Sequence, residues 1–311
     1  MRYRPLGDSG LMVSVVGLGC NNFGRRLDLE RTRAVVDAAL DAGVTLLDTA
    51  DIYGNRGGSE ELLGIVLEGR REQVVLATKF GMDMQGANGA DYGARGSRRY
   101  IRRAVEASLR RLRTDHVDLY QYHEPDGVTP IEETLTALGE LVAEGKVRYI
   151  GSSNLAAWEV VEAEWTARRD ALPRFVSAQN EYSLLRREAE SELLPACLRA
   201  GVGVLPYFPL ASGLLTGKVR RGSPPPAGSR LEGSEPAESD LDRVERLADY
   251  AAARGVSLLE VAVGGLAARP PVASVIAGAT TPEQVRANVA AGRWQPTAGD
   301  LAELAAIDPL V

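Results

Sequence analysis

The sequence predicts an α/β fold, a (β/α)8 or TIM barrel preceded by an N-terminal β-hairpin. Strand-like and helix-like segments alternate eight times after the hairpin, which is the pattern of parallel strands joined by crossover helices. The length of 311 residues is also usual for one such barrel. An open doubly wound sheet shares the alternation, but eight similar units without a second domain favour the closed barrel. We therefore expect one barrel domain over residues 1–311.

Hydrophobic periodicity and turn residues place the elements in order. The hairpin is predicted at 3–6 and 11–13, and the barrel strands at 14–18, 45–47, 74–78, 117–122, 147–152, 175–179, 202–207 and 272–276. Helices are predicted at 29–41, 59–68, 98–113, 131 onwards, 156–167, 188–200, 241–253, 258–267, 282 onwards and 297–307. Ser59, Ser97 and Thr281 are predicted N-caps, and Thr129 opens a predicted capping box. The Pro/Gly/Ser-rich stretch 217–239 is the only linker-like segment.

Composition narrows the class of protein. Apolar residues make up 45% and charged residues 25%, as is typical of a globular domain. The net charge of −6 and the scattered basic residues argue against nucleic-acid binding. The sequence lacks the long apolar run of a membrane span and the apolar core of a signal peptide. Two cysteines form neither a disulfide framework nor a metal-ligand spacing. We expect a cytoplasmic protein without a metal site, and predict no membrane partner.

Four polar side chains follow three successive predicted strands. Asp48 ends the second strand, Tyr53 follows on its loop, Lys79 ends the third strand and His123 ends the fourth. Only three lysines occur among the 36 Lys and Arg residues, so a lysine at a strand end is unusual here. Because active sites of (β/α)8 barrels lie at the carboxyl ends of the strands, we expect these side chains to converge.

The four residue types fit the reduction of a carbonyl group, which needs a hydride donor and a proton donor. A phenol with a pKa of about 10 is a weak acid, but a neighbouring cation favours its anion. We expect Lys79 to make Tyr53 a usable acid, Asp48 to hold Lys79 charged, and an uncharged His123 to orient the carbonyl. Taken singly, each residue also has a structural interpretation as loop cap, packed aromatic or solvated strand end. The order and spacing of the four residues favour a common active site over these separate structural roles.

The segments LDTADIYG, ATKFG, YQYHEPD and GSSN resemble the signature segments of the aldo-keto reductases, in the family's order and over nearly the whole chain. The branch that it resembles includes bacterial general-stress aldo-keto reductases and potassium-channel β subunits. The resemblance implies the same roles for the matched residues: Tyr53 as acid, Asp48 and Lys79 as its modulators and His123 as substrate orienter. It also implies NADPH as cofactor, with NADH not excluded.

The resemblance further implies a set of cofactor-binding residues. Ser153, Asn154 and Gln179 match positions that hold the nicotinamide carboxamide, and Tyr207 matches the aromatic that stacks on the nicotinamide ring. The full predicted set is Gly19, Asn21, Asp48, Ser153, Asn154, Gln179, Tyr207, Phe208, Leu210, Ser212, Gly213, Leu214, Lys218, Arg230, Gly278, Thr280, Gln284 and Asn288. Strand-end packing and solvated surface charge are the alternative interpretations. Gly278, Thr280 and Gln284 depart from the basic residues of many relatives, which leaves the choice between NADPH and NADH open.

The predicted substrate pocket comprises Phe23, Tyr53, His123 and Met82. Met84 and Tyr92 of the long loop 80–96 are also expected at its wall, and methionines adapt to varied substrate shapes. Core packing is the alternative for the two methionines. The expected partner is a small carbonyl compound; the sequence predicts no oligomeric state.

The sequence is compatible with two functions. The first is an NAD(P)H-dependent oxidoreductase that reduces aldehydes or ketones to alcohols. The second is a nucleotide-binding regulatory subunit like the channel-associated relatives, in which asparagine replaces the histidine; His123 favours the enzyme. Dehydrogenases of two other kinds fit poorly. The loop after the first strand lacks the third glycine of the Rossmann fingerprint, since Asn22 stands there, and no tyrosine has a lysine four residues later.

Overall fold

A computed structural model describes residues 1–307 and confirms the predicted barrel and hairpin. The hairpin pairs β1 (Tyr3–Pro5) with β2 (Met12–Ser14) in antiparallel orientation. Eight parallel strands follow: β3 Val16–Gly19, β4 Leu46–Asp48, β5 Val75–Phe80, β6 Val117–Tyr122, β7 Val147–Ser153, β8 Phe175–Gln179, β9 Gly203–Val204 and β10 Val275–Gly278. Their order in the sheet is β10-β3-β4-β5-β6-β7-β8-β9.

The barrel closes between β9 and the segment that leads into β10. Val204 N donates to Pro271 O at 3.0 Å, and Ala273 N donates to Val204 O at 2.9 Å. Both bonds lie just before β10, so this joint is irregular. For this reason β9 is shorter than the predicted strand 202–207, and β10 begins later than the predicted strand 272–276.

Helices surround the sheet at nearly the predicted positions. They are α1 Leu29–Asp41, α2 Tyr53–Val66, α3 Arg98–Leu112, α4 Ile131–Ala143, α5 Ala157–Arg169, α6 Leu193–Ala200, α7 Glu238–Ala253, α8 Leu258–Ala267, α9 Pro282–Ala291 and α10 Ala298–Ile307. Ser97 and Thr281 cap α3 and α9 as predicted, each accepting a backbone N–H of the first turn. Between Gly217 and Ala237 the chain forms no helix or strand.

Two predicted caps are wrong, because each hydroxyl bonds another acceptor instead. Ser59 lies just after residues 54–57, whose positive φ interrupts α2, and its Oγ donates to Cys20 O at 2.9 Å. Thr129 lies one residue before Pro130, the N-cap of α4, and its Oγ1 donates to the neighbouring Asp126 Oδ2 at 2.7 Å. Sequence spacing recognises a cap motif but does not show which acceptor competes for the hydroxyl.

The hairpin covers the inner core of the barrel. Leu6, Leu11 and Val13 of the hairpin pack with inward-facing strand residues such as Leu46 and Leu119. The close approach requires Gly7, which has a φ of +57°; an added Cβ would lie 2.5 Å from Gly201 O. A second, larger core lies between the outer face of the sheet and the helices.

Strands β4 and β5 extend further along the chain than the sequence predicts, so that each includes a polar residue of the predicted site. β4 includes Asp48, and β5 continues through Lys79 to Phe80. Both predicted site residues therefore belong to regular strands and are positioned by the sheet. No single helix within residues 1–307 is long and apolar enough to span a membrane; α7 and α8, bent by 92° at their junction, meet the length and composition requirements only as a pair.

Candidate active site

A cavity of about 790 Å³ opens at the carboxyl ends of the barrel strands. This volume lies within the range of about 300–1,000 Å³ typical of ligand pockets. Asp48, Tyr53 and His123 line one part of the cavity, while Gln284 and Asn288 of α9 line another. The cavity therefore extends from the strand ends to the last helix of the barrel.

Asp48 and Lys79 form a buried ion pair inside the barrel. Lys79 Nζ lies 2.6 Å from Asp48 Oδ2, with side-chain exposures of 0% and 3%. The same ammonium group donates to Thr49 O at 2.9 Å. Asp48 Oδ1 accepts from Gln121 Nε2 at 3.0 Å and from Gln179 Nε2 at 2.9 Å. Each charge is thus paired and hydrogen-bonded, which is the condition under which burial of charge is tolerated.

Tyr53 lies next to this ion pair and at the cavity wall. Lys79 Nζ is 5.0 Å from the centroid of the Tyr53 ring, and the ring meets His123 edge-on at a centroid distance of 5.9 Å. The backbone holds the tyrosine in place, since Tyr53 N donates to Ala50 O at 3.1 Å. The structure therefore brings together all four side chains predicted to act in the reaction.

The protonation states differ in part from expectation. Burial disfavours charge on Lys79, but the Asp48 carboxylate and Tyr53 outweigh it and raise the pKa of the ammonium above its usual value. Burial also raises the pKa of Tyr53, and Lys79 offsets only part of this effect. The expectation that Lys79 would make the phenol more acidic is therefore correct for the Lys79 contribution and wrong for the net shift. Tyr53 is fully protonated near neutrality, which is the form that can donate a proton.

His123 is held uncharged. Burial, and then the positive charge of Lys79, lower its pKa well below the usual value of 6.5. His123 N donates to Phe80 O at 2.7 Å, and Asn154 Nδ2 donates to His123 O at 3.0 Å, which fix the backbone. The buried Nδ1 atom has no hydrogen-bond partner within residues 1–307.

All residues predicted to bind the cofactor line the cavity except Leu214. Leu214 is buried and packs in the hydrophobic core, because the turn 211–216 directs it away from the cavity. Tyr207 Oη donates to Asn154 Oδ1 at 2.9 Å, which links two of the predicted nicotinamide contacts. The N-terminus of α9 lies against the other end of the cavity, where Gln284 Oε1 accepts from Thr280 N at 2.8 Å.

The predicted substrate wall needs correction at three positions. Met82 lines the cavity as expected. Phe23 instead lies fully buried in the hydrophobic core, and Met84 is also buried away from the cavity. Tyr92 is 85% exposed on the outer surface. A loop sequence indicates which residues are near a site, but the path of the loop decides which of them face it.

Comparison with known proteins shows which family this chain belongs to. A model of the Aldo/keto reductase family matches residues 15–309. The chain belongs to the aldo/keto reductase family. The uncharacterized oxidoreductase YrpG of Bacillus subtilis (strain 168) is 40% identical over 299 residues, covering 94% of this chain and 91% of the relative.

Other relatives of this aldo/keto reductase differ in their described activities. A probable voltage-gated potassium channel subunit beta of Oryza sativa subsp. japonica is 38% identical, covering 94% of this chain and 91% of the relative. Versiconal hemiacetal acetate reductase of Aspergillus parasiticus is 37% identical, with 93% and 92% covered. L-glyceraldehyde 3-phosphate reductase of Escherichia coli (strain K12) is 35% identical, with 94% and 87% covered. The oxidoreductases among them support an oxidoreductase role for this chain.

Sequence analysis missed several residues of this aldo/keto reductase site. Gln121 on β6 bonds Asp48, and the alternation Leu119-Tyr120-Gln121 offered a signal because the inward-facing strand positions are two residues apart. Arg26 and the neighbours of the predicted Arg230, residues 226–229 and 231, also line the cavity. Apart from Arg230, this segment appeared in the sequence only as a linker-like stretch, and nothing in its composition indicated a binding role.

Proposed function

We propose that this protein is an NAD(P)H-dependent reductase that converts small aldehydes or ketones to alcohols, with Tyr53 as the proton donor. The observation that carries the proposal is the buried Lys79–Asp48 pair beside Tyr53, with the neutral His123 edge-on to the same ring. A structural ion pair needs no protonated phenol and no uncharged imidazole at a cavity wall. The proposed reduction uses both, because the phenol donates the proton and the neutral imidazole hydrogen-bonds the carbonyl oxygen.

The residues present fit a nicotinamide cofactor. Asn154, Gln179 and Tyr207 at the strand ends would hold the nicotinamide, and the N-terminus of α9 presents backbone amides suited to a phosphate. His123, whose buried Nδ1 has no hydrogen-bond partner within residues 1–307, lines the cavity beside them. A reduced nicotinamide bound there would supply the hydride.

Side chains of the protein then orient the substrate and supply the proton. His123 hydrogen-bonds the substrate carbonyl oxygen and orients it toward Tyr53. The Tyr53 hydroxyl transfers its proton to that oxygen as negative charge develops on it. The Lys79 ammonium stabilises the phenolate that remains, and Asp48 keeps the ammonium charged and in place. Proton transfer by a positioned side chain contributes about 10²–10⁴-fold to rate.

The direct test is oxidation of NADPH or NADH with a panel of small aldehydes and ketones, followed by absorbance. Turnover of at least one carbonyl compound, with formation of the matching alcohol, supports the proposal. Tight coenzyme binding without turnover of any panel member would contradict it. That second outcome would instead support a nucleotide-binding regulatory subunit, which is the alternative favoured by the 38% identity to a channel subunit.

The pH dependence of reduction follows from His123. Its lowered pKa means that the imidazole stays neutral, and able to serve the carbonyl, as the pH falls through 6.5. Activity is lost only at more acid pH, when His123 gains a proton. We expect kcat/KM for the carbonyl substrate to remain level between pH 8 and about 6. A half-loss centred near pH 6.5 would show that His123 titrates like a solvated imidazole.

Arg26 and Arg230 are expected to give a preference for NADPH. Both line the cavity, and neither forms an ion pair with a carboxylate in the described part of the chain. Arg230 Nη2 donates to Asn21 Oδ1 at 3.3 Å, and an added Cβ on Gly278 would lie 3.8 Å from the same oxygen. Arg230 thus brings positive charge close to Gly278, where many relatives carry a basic residue. Burial, and then the nearby Arg26 and Arg25, lower the pKa of Arg230. A bound phosphate would offset the repulsion among these guanidinium groups.

Replacement of either arginine tests this preference. We expect Arg26→Ala and Arg230→Ala each to weaken NADPH about tenfold, since a charge-assisted hydrogen bond contributes about 1.5–3 kcal/mol, and to leave NADH nearly unchanged. Coenzyme dissociation constants measured by tryptophan fluorescence check this. Arg220→Ala is the control, because Arg220 is exposed, lies in the same linker-like stretch 217–239 as Arg230 and does not line the cavity. Equal weakening of both coenzymes would place the arginines at the pyrophosphate instead.

A further inference from the structure

Asp51 is a fully buried carboxyl group on the loop that carries Tyr53. Its exposure is 0%, and it stands three residues after Asp48 and two before Tyr53. Asp51 N donates to Lys79 O at 3.1 Å, so its backbone is tied to β5 beside the ion pair. Neither the ion pair nor the proton transfer described above uses this carboxyl group.

The Asp51 side chain has a partner on a different loop. Asn88 Nδ2 donates to Asp51 Oδ2 at 2.9 Å. Asn88 is 6% exposed and lies in the middle of residues 81–97, the loop that also brings Met82 to the cavity. One buried amide therefore joins the substrate-side loop to the segment between Asp48 and Tyr53.

The amide is itself held in one orientation. Arg111 Nη1 donates to Asn88 Oδ1 at 3.2 Å, which leaves Asn88 Nδ2 for Asp51. Arg111 Nε donates to the buried Glu60 Oε2 at 2.7 Å, and Thr78 Oγ1 donates to Glu60 Oε1 at 2.5 Å. The guanidinium thus connects Asn88 to α2 and β5, on which the site is built.

Asp51 acts here as an acceptor, because its Oδ2 receives the Asn88 amide. Burial, and then the nearby Glu60 carboxylate, raise its pKa well above the usual value, although Arg111 and Asn88 partly oppose this. An asparagine at position 51 would present a similar acceptor oxygen to Asn88. This similarity makes a matched set of variants possible.

We propose that Asn88 is a positioning residue, which fastens the loop 81–97 to the Asp48–Tyr53 segment and so holds Met82 and Tyr53 in register across the substrate end of the cavity. The catalytic part of this inference rests on the proposed function. Its structural part, the coupling of the two loops, does not. Displacement of a reacting group by about 1 Å costs about 10²-fold in rate, so loss of the tie is expected to be measurable.

The experiment exchanges donor and acceptor. Asn88→Ala removes the donor to Asp51 and the acceptor of Arg111; we expect kcat/KM for the carbonyl substrate to fall about tenfold or more, chiefly through kcat. Asp51→Asn alone should stay close to wild type, because an acceptor oxygen for Asn88 is retained. In the double variant, which combines Asp51→Asn with Asn88→Asp, the amide introduced at position 51 can donate to the carboxylate introduced at position 88. That carboxylate still accepts from Arg111, so activity should stay well above that of Asn88→Ala.

Two further readouts separate positioning from general damage. Coenzyme dissociation constants should be unchanged in all three variants, because neither residue lines the cavity. Hydrogen exchange of peptides covering 49–53 and 81–97 should quicken together in Asn88→Ala and slow again in the double variant. If Asn88→Ala does not fold, Asn88→Leu, which is close to asparagine in size and has no hydrogen-bonding group, should show the same paired quickening.

Wild-type kcat/KM in folded Asn88→Ala, or a double variant no better than Asn88→Ala, would overturn the inference. So would exchange that quickens in one peptide only. If the wild-type protein reduces no carbonyl compound, the proposed function fails, and the exchange measurements still decide whether Asn88 couples the two loops.

Discussion

Tyr53→Phe is expected to lower kcat for carbonyl reduction by about 10³-fold, within the range that a positioned general acid contributes. The change removes the hydroxyl group and its hydrogen bond with Lys79, but keeps the ring and its edge-on contact with His123. The coenzyme dissociation constant should therefore change less than about twofold. Steady-state kinetics and fluorescence titration of the coenzyme measure the two effects separately.

The matched control for this change is Tyr92→Phe. Tyr92 is 85% exposed on the loop 81–97, so loss of its hydroxyl should leave kcat near the wild-type value. Equal loss of turnover and coenzyme affinity in Tyr53→Phe would show that Tyr53 supports the structure of the cavity. It would then not be the proton donor.

Lys79→Met is expected to damage stability and activity together. The change leaves Asp48 charged, buried and without its cation, and breaking a buried pair in this way costs about 3–5 kcal/mol. The phenolate of Tyr53 also loses its nearest positive charge, so turnover should be abolished. Urea unfolding followed by circular dichroism gives the free energy of unfolding, and the coenzyme assay gives turnover.

The double change Asp48→Asn with Lys79→Met separates the two effects. It removes both buried charges, and replacement of a buried ion pair by neutral groups is often tolerated. The amide introduced at position 48 can still accept from Gln121 or Gln179, which bond Asp48 in the wild type. Most of the lost unfolding free energy should return while turnover stays absent. A Lys79→Met protein as stable as wild type would contradict the buried pair, and recovery of turnover in the double variant would contradict the role of Lys79.

Much of the fold was predictable because it is encoded locally. The predicted bounds of α1, β6, β8 and α8 agree with the structure. Each of these segments has a strong hydrophobic pattern and clear stop signals, so its own residues decide its structure. Prediction was weaker near β9 and β10, where the barrel closes by irregular backbone hydrogen bonds that no local pattern records.

The convergence of the candidate catalytic residues was predictable for a related reason. Parallel strands in a barrel bring their carboxyl ends to one place, so Asp48, Lys79 and His123 converge once their strands are recognised. The same logic does not extend to Phe23 or Leu214. Both lie on irregular segments, whose direction is set by packing, and both are buried in the core rather than at the cavity.

The sequence by itself determined the alternation of strands and helices, the family, and which polar groups meet at the strand ends. Only the tertiary structure decided the electrostatic state of the site, because a pKa depends on burial and neighbours from distant parts of the chain. It placed Gln121 and Gln179 on Asp48 and joined Asn88 to Asp51. It also raised the pKa of Tyr53 where proximity to lysine alone predicted the reverse, since desolvation of the phenolate outweighs the attraction of one ammonium group.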